Sequence, residues 1–384
     1  MGRVAVLGVG LTKFIRDEAE FKIDEAASQA ALSALRDARM RYKEIEMALC
    51  GNIYQTGAAP MVFYPLGKTG IPIARIDIAC ASASRAIQHA AYMIEAGAFE
   101  TCLVVGVERM PKGMVPMPID PQALSPKNEI LLDGLMGLVT MPAAYAHKAT
   151  RYMHAFGAKI EHFAQVSVKA HKNGCLAPHA MYQKPIALEE VVNSRMIAYP
   201  ITLYQCCANA NGAAAVVLAS EKKAKSYTNK PVYLSGWGES SMHYKKGDPV
   251  ESFLNDGDTR LAARKAYEMA GVGPEDVDVV QLHDAFAPGE VFQIEALGLV
   301  PEGEGWRFVQ EGHTEIAGRM PVNTDGGLLS CGHPVGATGA RMVAELVWQL
   351  RGQAGARQVK DGRAKVGLLQ NSGLGASNVL ILQS

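Results

Sequence analysis

A chain of 384 residues, 48% hydrophobic and 20% charged, can bury a sizeable core as two or three domains or one large composite domain. Its 38 basic and 38 acidic residues cancel, so there is no global field to point to nucleic acid or an anionic membrane, although local basic patches for an anionic ligand stay open. Seven cysteines, an odd number without a CxxC pair, read as free thiols in a reducing compartment and give no sign of a metal site.

The first residues, Met1–Gly8, read as a strand and not as a cleavable signal. No apolar run reaches the roughly 20 residues that span a bilayer, and the C-terminal Leu382-Gln383-Ser384 is not a peroxisomal address. A soluble cytoplasmic protein is expected. Gly8 and Gly10 lack the third glycine of a dinucleotide loop and predict a turn after an edge of the sheet. Asp24 is placed to cap a helix over Glu25–Ala38, followed by a strand over Glu44–Cys50 and a helical turn or two within Met61–Gly70.

A strand over Ile73–Ala79 then stops at Cys80. After it, Ala81, Ala83, Ala86, Ile87, Ala90, Ala91 and Ile94 predict a buried central helix with Gly97 at its C-terminal end. Cys80 would sit at the helix N-terminus, where unpaired N–H groups and the helix dipole favour thiolate over thiol. The alternative is a cysteine that only fills core space. Thr101–Val107 is a further buried strand.

From Met110 to Asn193 the texture changes. Met110, Met114 and Met117 lie among Pro111, Pro116, Pro118 and Pro121, followed by Leu131–Pro142, rich in Leu, Met and Gly. Helical stretches follow near Pro142–Phe156 and Glu161–Asn173. Such an insertion reads as a lid or binding loop, with methionines that suit either an adaptable apolar pocket or ordinary core. A buried strand over Gly212–Leu218 closes this part of the chain.

The order then restarts. Pro231–Gly238 echoes Val4–Gly10, Asp258–Ala270 echoes Asp24–Ala38, Asp276–Leu282 echoes Glu44–Cys50, and Lys365–Leu369 echoes Cys102–Val107. Gly332-His333-Pro334-Val335-Gly336-Ala337-Thr338-Gly339 opens a helix like the one after Cys80. Five echoes in one order predict two similar halves that place Cys80 and His333 at equivalent helix starts. A cysteine facing a histidine is a nucleophile–base pair. His283-Asp284-Ala285-Phe286 adds a second histidine at the end of a strand, and Asn371-Ser372-Gly373-Leu374-Gly375 adds backbone N–H donors. Together these suit acyl transfer through a thioester.

These motifs, Cys80-Ala81-Ser82, His283-Asp284-Ala285-Phe286, Gly332-His333-Pro334 with Gly336-Ala337-Thr338-Gly339, and Gly373-Leu374-Gly375, resemble those of the thiolase superfamily over nearly the whole chain. The histidine in the His283 loop, where the commonest thiolases carry asparagine, resembles the sterol-carrier-protein-type (nonspecific lipid-transfer-like) thiolases and their prokaryotic relatives. The resemblance implies an α/β fold of two βαβαβαββ halves in a five-layered αβαβα core with an inserted loop domain. The expected boundaries are 1–115 and 194–228 for the N-terminal half, 116–193 for the insertion and 229–384 for the C-terminal half. It further implies a 3-oxoacyl-CoA thiolase or acetyl-CoA C-acyltransferase, working by ping-pong steps. Cys80 would be the acyl-carrying nucleophile, His333 its activator, and His283 part of one oxyanion site. The backbone N–H groups of Cys80 and Gly373 would form the other. Coenzyme A is implied as a substrate, with no tightly bound cofactor and no metal. A homodimer or dimer of dimers and a small zinc-ribbon/OB-fold subunit are implied as partners.

The chain departs from the family where a second cysteine normally serves the substrate's α-carbon. The two positions that carry it hold Asn371 and Ala285, neither of which can shuttle a proton. Cys331 is the first substitute considered, then Cys206 or Cys207; otherwise His333 or His283 does the proton work. Tyr145, Tyr152 and Phe156 would fit a branched or aromatic acyl group. The competing functions are a retro-aldol C–C lyase on a CoA thioester, against which Cys80 argues, and a non-catalytic lipid- or CoA-binding subunit.

Overall fold

A computed structural model describes residues 3–16, 21–113, 140–227, 231–241, 256–359 and 364–384. The strands are β1 (Val4–Leu11), β2 (Met47–Gly51), β3 (Ile73–Ile76), β4 (Thr101–Glu108), β5 (Met196–Ala198), β6 (Ile201–Thr202), β7 (Gly212–Ser220), β8 (Val232–Ser241), β9 (Val279–Gln281), β10 (Val366–Gly373) and β11 (Ala376–Gln383). Apart from the small β5–β6 ladder, they form one sheet in the order β3-β2-β4-β7-β1-β8-β11-β10-β9. The two halves meet at β1 and β8 through three antiparallel residue pairs, Val4–Leu234, Ala5–Tyr233 and Val6–Val232.

Alternation along β1 shows how the layers form. Val4, Val6 and Val9 join a central core that also holds residues of α3 (Ser82–Glu95), a helix over Thr338–Leu350, and strands of both halves. Ala5 and Leu7 face the other way, onto α1 (Ile23–Asp37). The C-terminal half has its own outer core against the helix Gly257–Ala270. The two halves of the continuous sheet thus enclose paired central helices and carry helices on their outer sides, the helix–strand–helix–strand–helix layering expected for the thiolase fold. The halves differ in one respect: where the first half adds β3 beside β2, the second has only an isolated parallel bridge, Val280–Val322, beside β9.

Several local expectations change. Gly8 and Gly10 lie inside β1, a central strand, and not in a turn at an edge. A Cβ at Gly8 would fall 2.2 Å from Ala34 O, and one at Gly10 would fall 2.4 Å from Ala30 O, so these glycines let α1 lie against the sheet. Gly236 and Gly238 do the same in β8, at 2.3 Å from Ala266 O and 1.9 Å from Ala262 O. The first helix starts at Ile23 with Lys22 at its N-cap, leaving Asp24 in the first turn, where its charge still suits the dipole. Of the inserted region, Met114, Met117, Pro116, Pro118, Pro121 and residues 131–139 lie outside the described residues. Its helices Met141–Phe156 and Ile160–Gly174 pack on the C-terminal half. Tyr152 and Phe156 belong to that packing. Tyr152 is buried among Phe156, Phe163 and Phe292 with ring centroids 4.8, 6.1 and 5.4 Å away, and its hydroxyl binds Glu295. Tyr152 is thus a core residue, with the partly buried Phe156 packed against it.

Candidate active site

Cys80 lies two residues before the first residue of α3, in a tight turn held by Ser82. The Ser82 hydroxyl accepts from Ile78 N at 3.0 Å and donates to Ala79 O at 2.6 Å, while Ala79 takes the left-handed conformation at φ 48°. A non-glycine residue held there is strained, and the turn aims the next side chain out of the strand–helix corner. The helix dipole does not make Cys80 a resting thiolate. Cys80 is half-buried, and desolvation of its thiol pushes its pKa up to about 12, with only its own backbone N–H opposing. At rest Cys80 is the thiol, and it could act as a nucleophile only with a base beside it.

Two histidines meet it. Cys80 Sγ, one ring nitrogen of His283 and one of His333 all lie within 4.8 Å of one another, and the imidazoles stand edge-on with centroids 5.2 Å apart. Their hydrogen bonds assign them different tautomers. His333 Nδ1 lies 2.7 Å from Thr338 Oγ1, whose own proton goes to Pro334 O at 3.1 Å. His333 therefore donates through Nδ1, and its buried, unpartnered Nε2 is a bare acceptor. His283 is reversed: Asn371 donates from Nδ2 to His283 Nδ1 at 3.0 Å, which leaves the proton on Nε2. One imidazole presents a lone pair and the other an N–H. Burial keeps both neutral, with Arg341 assisting at each: it lowers the His283 pKa to about 3 and holds His333 well below its ordinary value.

Neighbouring backbone closes the site. Asn371 Oδ1 accepts from Ser84 Oγ at 2.8 Å, which ties β10 to the first turn of α3. A Cβ on Gly373 would fall 2.2 Å from Ile78 O and 3.1 Å from Cys80 N, so only glycine lets β10 touch the Cys80 turn. Asn371 and Gly373 are thus strand residues, with the β10–β11 turn confined to Leu374 and Gly375, both at positive φ. On the other side, Glu108 accepts from Ile53 N, Tyr54 N, Asn52 Nδ2 and Gly336 N at 2.9–3.1 Å, fastening the turn after His333 to β4. The positioning roles of Thr338, Ser84 and Glu108 were not read from the sequence. Thr338 alone left a signal, a hydroxyl five residues after His333 in the first helical turn.

The structure does not bring Cys331 into this group. Its Sγ donates to Asp325 O at 3.2 Å, inside a second buried cluster with His179, Asp325 and Arg341. Either cluster has metal-ligand residue types, but Asp325 is already paired with the Arg341 cation. His283 carries its remaining ring proton on Nε2 and so presents no free lone pair, and neutral acid–base chemistry fits these residues better than a metal centre.

Residues 4–222 match the thiolase N-terminal domain and residues 238–384 the thiolase C-terminal domain-like family, so this chain belongs to the thiolase family. It is 36% identical to an acetyl-CoA acetyltransferase of Methanothermobacter thermautotrophicus, over 97% of both chains. It is also 36% identical to the benzoylsuccinyl-CoA thiolase subunit BbsB of Thauera aromatica, over 93% of this chain and 91% of that one. Against rabbit (Oryctolagus cuniculus) sterol carrier protein 2 the figures are 37%, 99% and 71%. Among solved structures, the Ltp2-ChsH2(DUF35) aldolase superposes with a TM-score of 0.86 at 26% identity, covering 100% of this chain and 98% of that one.

Proposed function

We propose that this chain is a thiolase-type acyltransferase that cleaves a 3-oxoacyl-CoA with CoA, or runs the reverse Claisen condensation, through an acyl-Cys80 intermediate. The observation that carries this reading is the opposed tautomers, a bare His333 Nε2 and a protonated His283 Nε2, on two rings that each bring a nitrogen within 4.8 Å of Cys80 Sγ. His333 takes the thiol proton as Sγ attacks the carbonyl, because neither group is charged at rest. His283 Nε2–H stabilises negative charge on a thioester oxygen. The N–H groups of Cys80 and Gly373 do so at the acyl-enzyme carbonyl. Coenzyme A enters as a substrate, and no bound cofactor is invoked. The BbsB relative supports a branched or aromatic acyl group. The aldolase neighbour, named as a complex with a DUF35 protein, supports a small zinc-ribbon/OB-fold partner; a homodimer or dimer of dimers is carried from the family resemblance. Among the described residues no helix is long and apolar enough to cross a membrane, and all seven cysteines are free, which supports a reducing, cytoplasmic setting.

Mass spectrometry after incubation with acetyl-, propionyl- and benzoyl-CoA tests the reading. Acyl adducts on Cys80 that disappear on adding CoA are expected. A chain that cleaves a 3-hydroxyacyl-CoA without ever acylating Cys80 would instead be the retro-aldol lyase.

A further inference from the structure

Breaking the C2–C3 bond of a 3-oxoacyl-CoA leaves an electron pair on C2, and some group must protonate it. His333 already holds the Cys80 proton at that moment, and Ala285 and Asn371 cannot donate one. The segment Gln205–Ala208 lies where a donor is needed. It runs antiparallel to the His283 loop: Cys206 bridges Phe286, Ala287 N donates to Gln205 O at 2.9 Å, and Cys207 N donates to Ala285 O at 2.8 Å. This register sets Cys207 directly opposite Ala285, with both side chains on one face and Cβ atoms about 4.5–5.5 Å apart. The next residue binds the other histidine loop, as His333 N donates to Ala208 O at 2.8 Å.

Cys207 is therefore wedged between the two loops that carry His283 and His333. The pocket there is unsaturated, because His333, only 5% exposed, leaves Nε2 without a partner. Cys207 and Cys80 lie within electrostatic reach of each other, and both act on the Tyr145 hydroxyl, whose ring packs 4.7 Å from Phe286. Cys206 differs, with its Sγ turned back to Thr202 O at 3.4 Å.

We propose that Cys207 is the second catalytic thiol, the acid/base at the substrate's α-carbon, supplied from the segment bridged to the Ala285 loop. The proposal rests on the acyl-Cys80 reading above. In cleavage, Cys80 sulfur bonds to C3 and its proton passes to His333. The C2–C3 bond breaks, and its electron pair takes the Cys207 S–H proton, releasing the C1–C2 fragment as acetyl-CoA and leaving the shortened acyl group on Cys80 and a Cys207 thiolate. That thiolate removes the proton of the incoming CoA thiol as its sulfur attacks the acyl carbon. Cys80 leaves as thiolate and recovers its proton from His333. Burial raises the Cys207 thiol well above its ordinary pKa, which keeps it loaded as an acid between turnovers.

The test separates the two half-reactions in the full chain. Acetyl-CoA and propionyl-CoA are supplied in D2O, α-hydrogen exchange is followed by NMR, and Cys80 acylation is followed by mass spectrometry. Cys207→Ala is expected still to form the Cys80 acyl adduct, more slowly because CoA then leaves without its acid, while losing exchange and 3-oxoacyl-CoA cleavage by at least about 100-fold. Adding Ala285→Cys to that variant returns the thiol to the facing position and is expected to restore exchange, which a merely packing role for Cys207 would not produce. Undiminished exchange in Cys207→Ala, or acylation without exchange in wild type, overturns the proposal. Absence of Cys80 acylation in wild type overturns the underlying function instead.

Discussion

Asn371 holds His283 by a 3.0 Å bond from Nδ2 to Nδ1, and so decides which end of that imidazole carries its proton. Asparagine stands here at a position where the family carries its second cysteine, and the structure gives it work of its own. Asn371→Asp would place a carboxylate at Nδ1, draw the proton there and leave Nε2 bare toward the substrate. A loss of about 100- to 1,000-fold in kcat is expected, the usual effect of removing one oxyanion donor, with KM changed much less. Steady-state cleavage kinetics read the loss, and ring-nitrogen NMR reads the change of tautomer. An unchanged tautomer in the variant would remove Asn371 from this role.

Thr338 sets the opposite tautomer at His333. With Thr338→Val the Nδ1 proton loses its acceptor, and the ring gains by carrying the proton on Nε2 instead, where it cannot accept from Cys80. The single-turnover rate of Cys80 acylation is expected to fall about 10- to 100-fold, in line with loss of a general base. Serine at 338 keeps the hydroxyl and should retain most of the rate.

Burial of neutral His283 has a pH signature. Its pKa is about 3 in the fold and ordinary, near 6.5, when unfolded, so between these values the unfolded chain binds the extra proton. Stability therefore rises with pH across that window; the contribution is complete above 6.5 and lost as pH falls toward 3. At pH 5 the loss is about 2 kcal/mol. Urea melts of wild type and His283→Asn at pH 7 and pH 5 isolate it, because other groups titrate in both proteins. Wild type is expected to lose about 2 kcal/mol more than the variant on going to pH 5.

The meeting of Cys80 with both histidines was legible in the sequence because each sits at a strand end or helix start within a repeated order. Periodicity fixed most strands to within a few residues for the same reason. What stayed illegible depends on contacts between distant segments. Gly8 and Gly10 look like a turn until α1 is laid on them, and Tyr152 looks like a pocket residue until Phe163 and Phe292 surround it. The tautomers of His283 and His333 need Asn371 and Thr338, the first of which is 88 residues away from its histidine. The facing of Cys207 and Ala285 needs a pairing that neither segment's own pattern announces.

Cys331 is the thiol nearest His333 in sequence, yet its surroundings argue for a packing role. Its Sγ binds Asp325 O, and the residue is fully buried in the central core. The adjacent ion pair of Asp325 and Arg341 raises the cost of any disturbance, since Arg341 is wholly buried and leaves Nε and Nη2 without partners. Cys331→Ala removes one weak hydrogen bond and a sulfur's volume, so a stability loss of about 1–2 kcal/mol is expected. Cys80 acylation and α-hydrogen exchange should stay within about threefold of wild type under conditions where the variant is folded. Denaturant melts establish that condition, and the acetyl-CoA exchange experiment then decides: a loss of exchange with acylation intact would assign the α-carbon proton to Cys331 and not to Cys207.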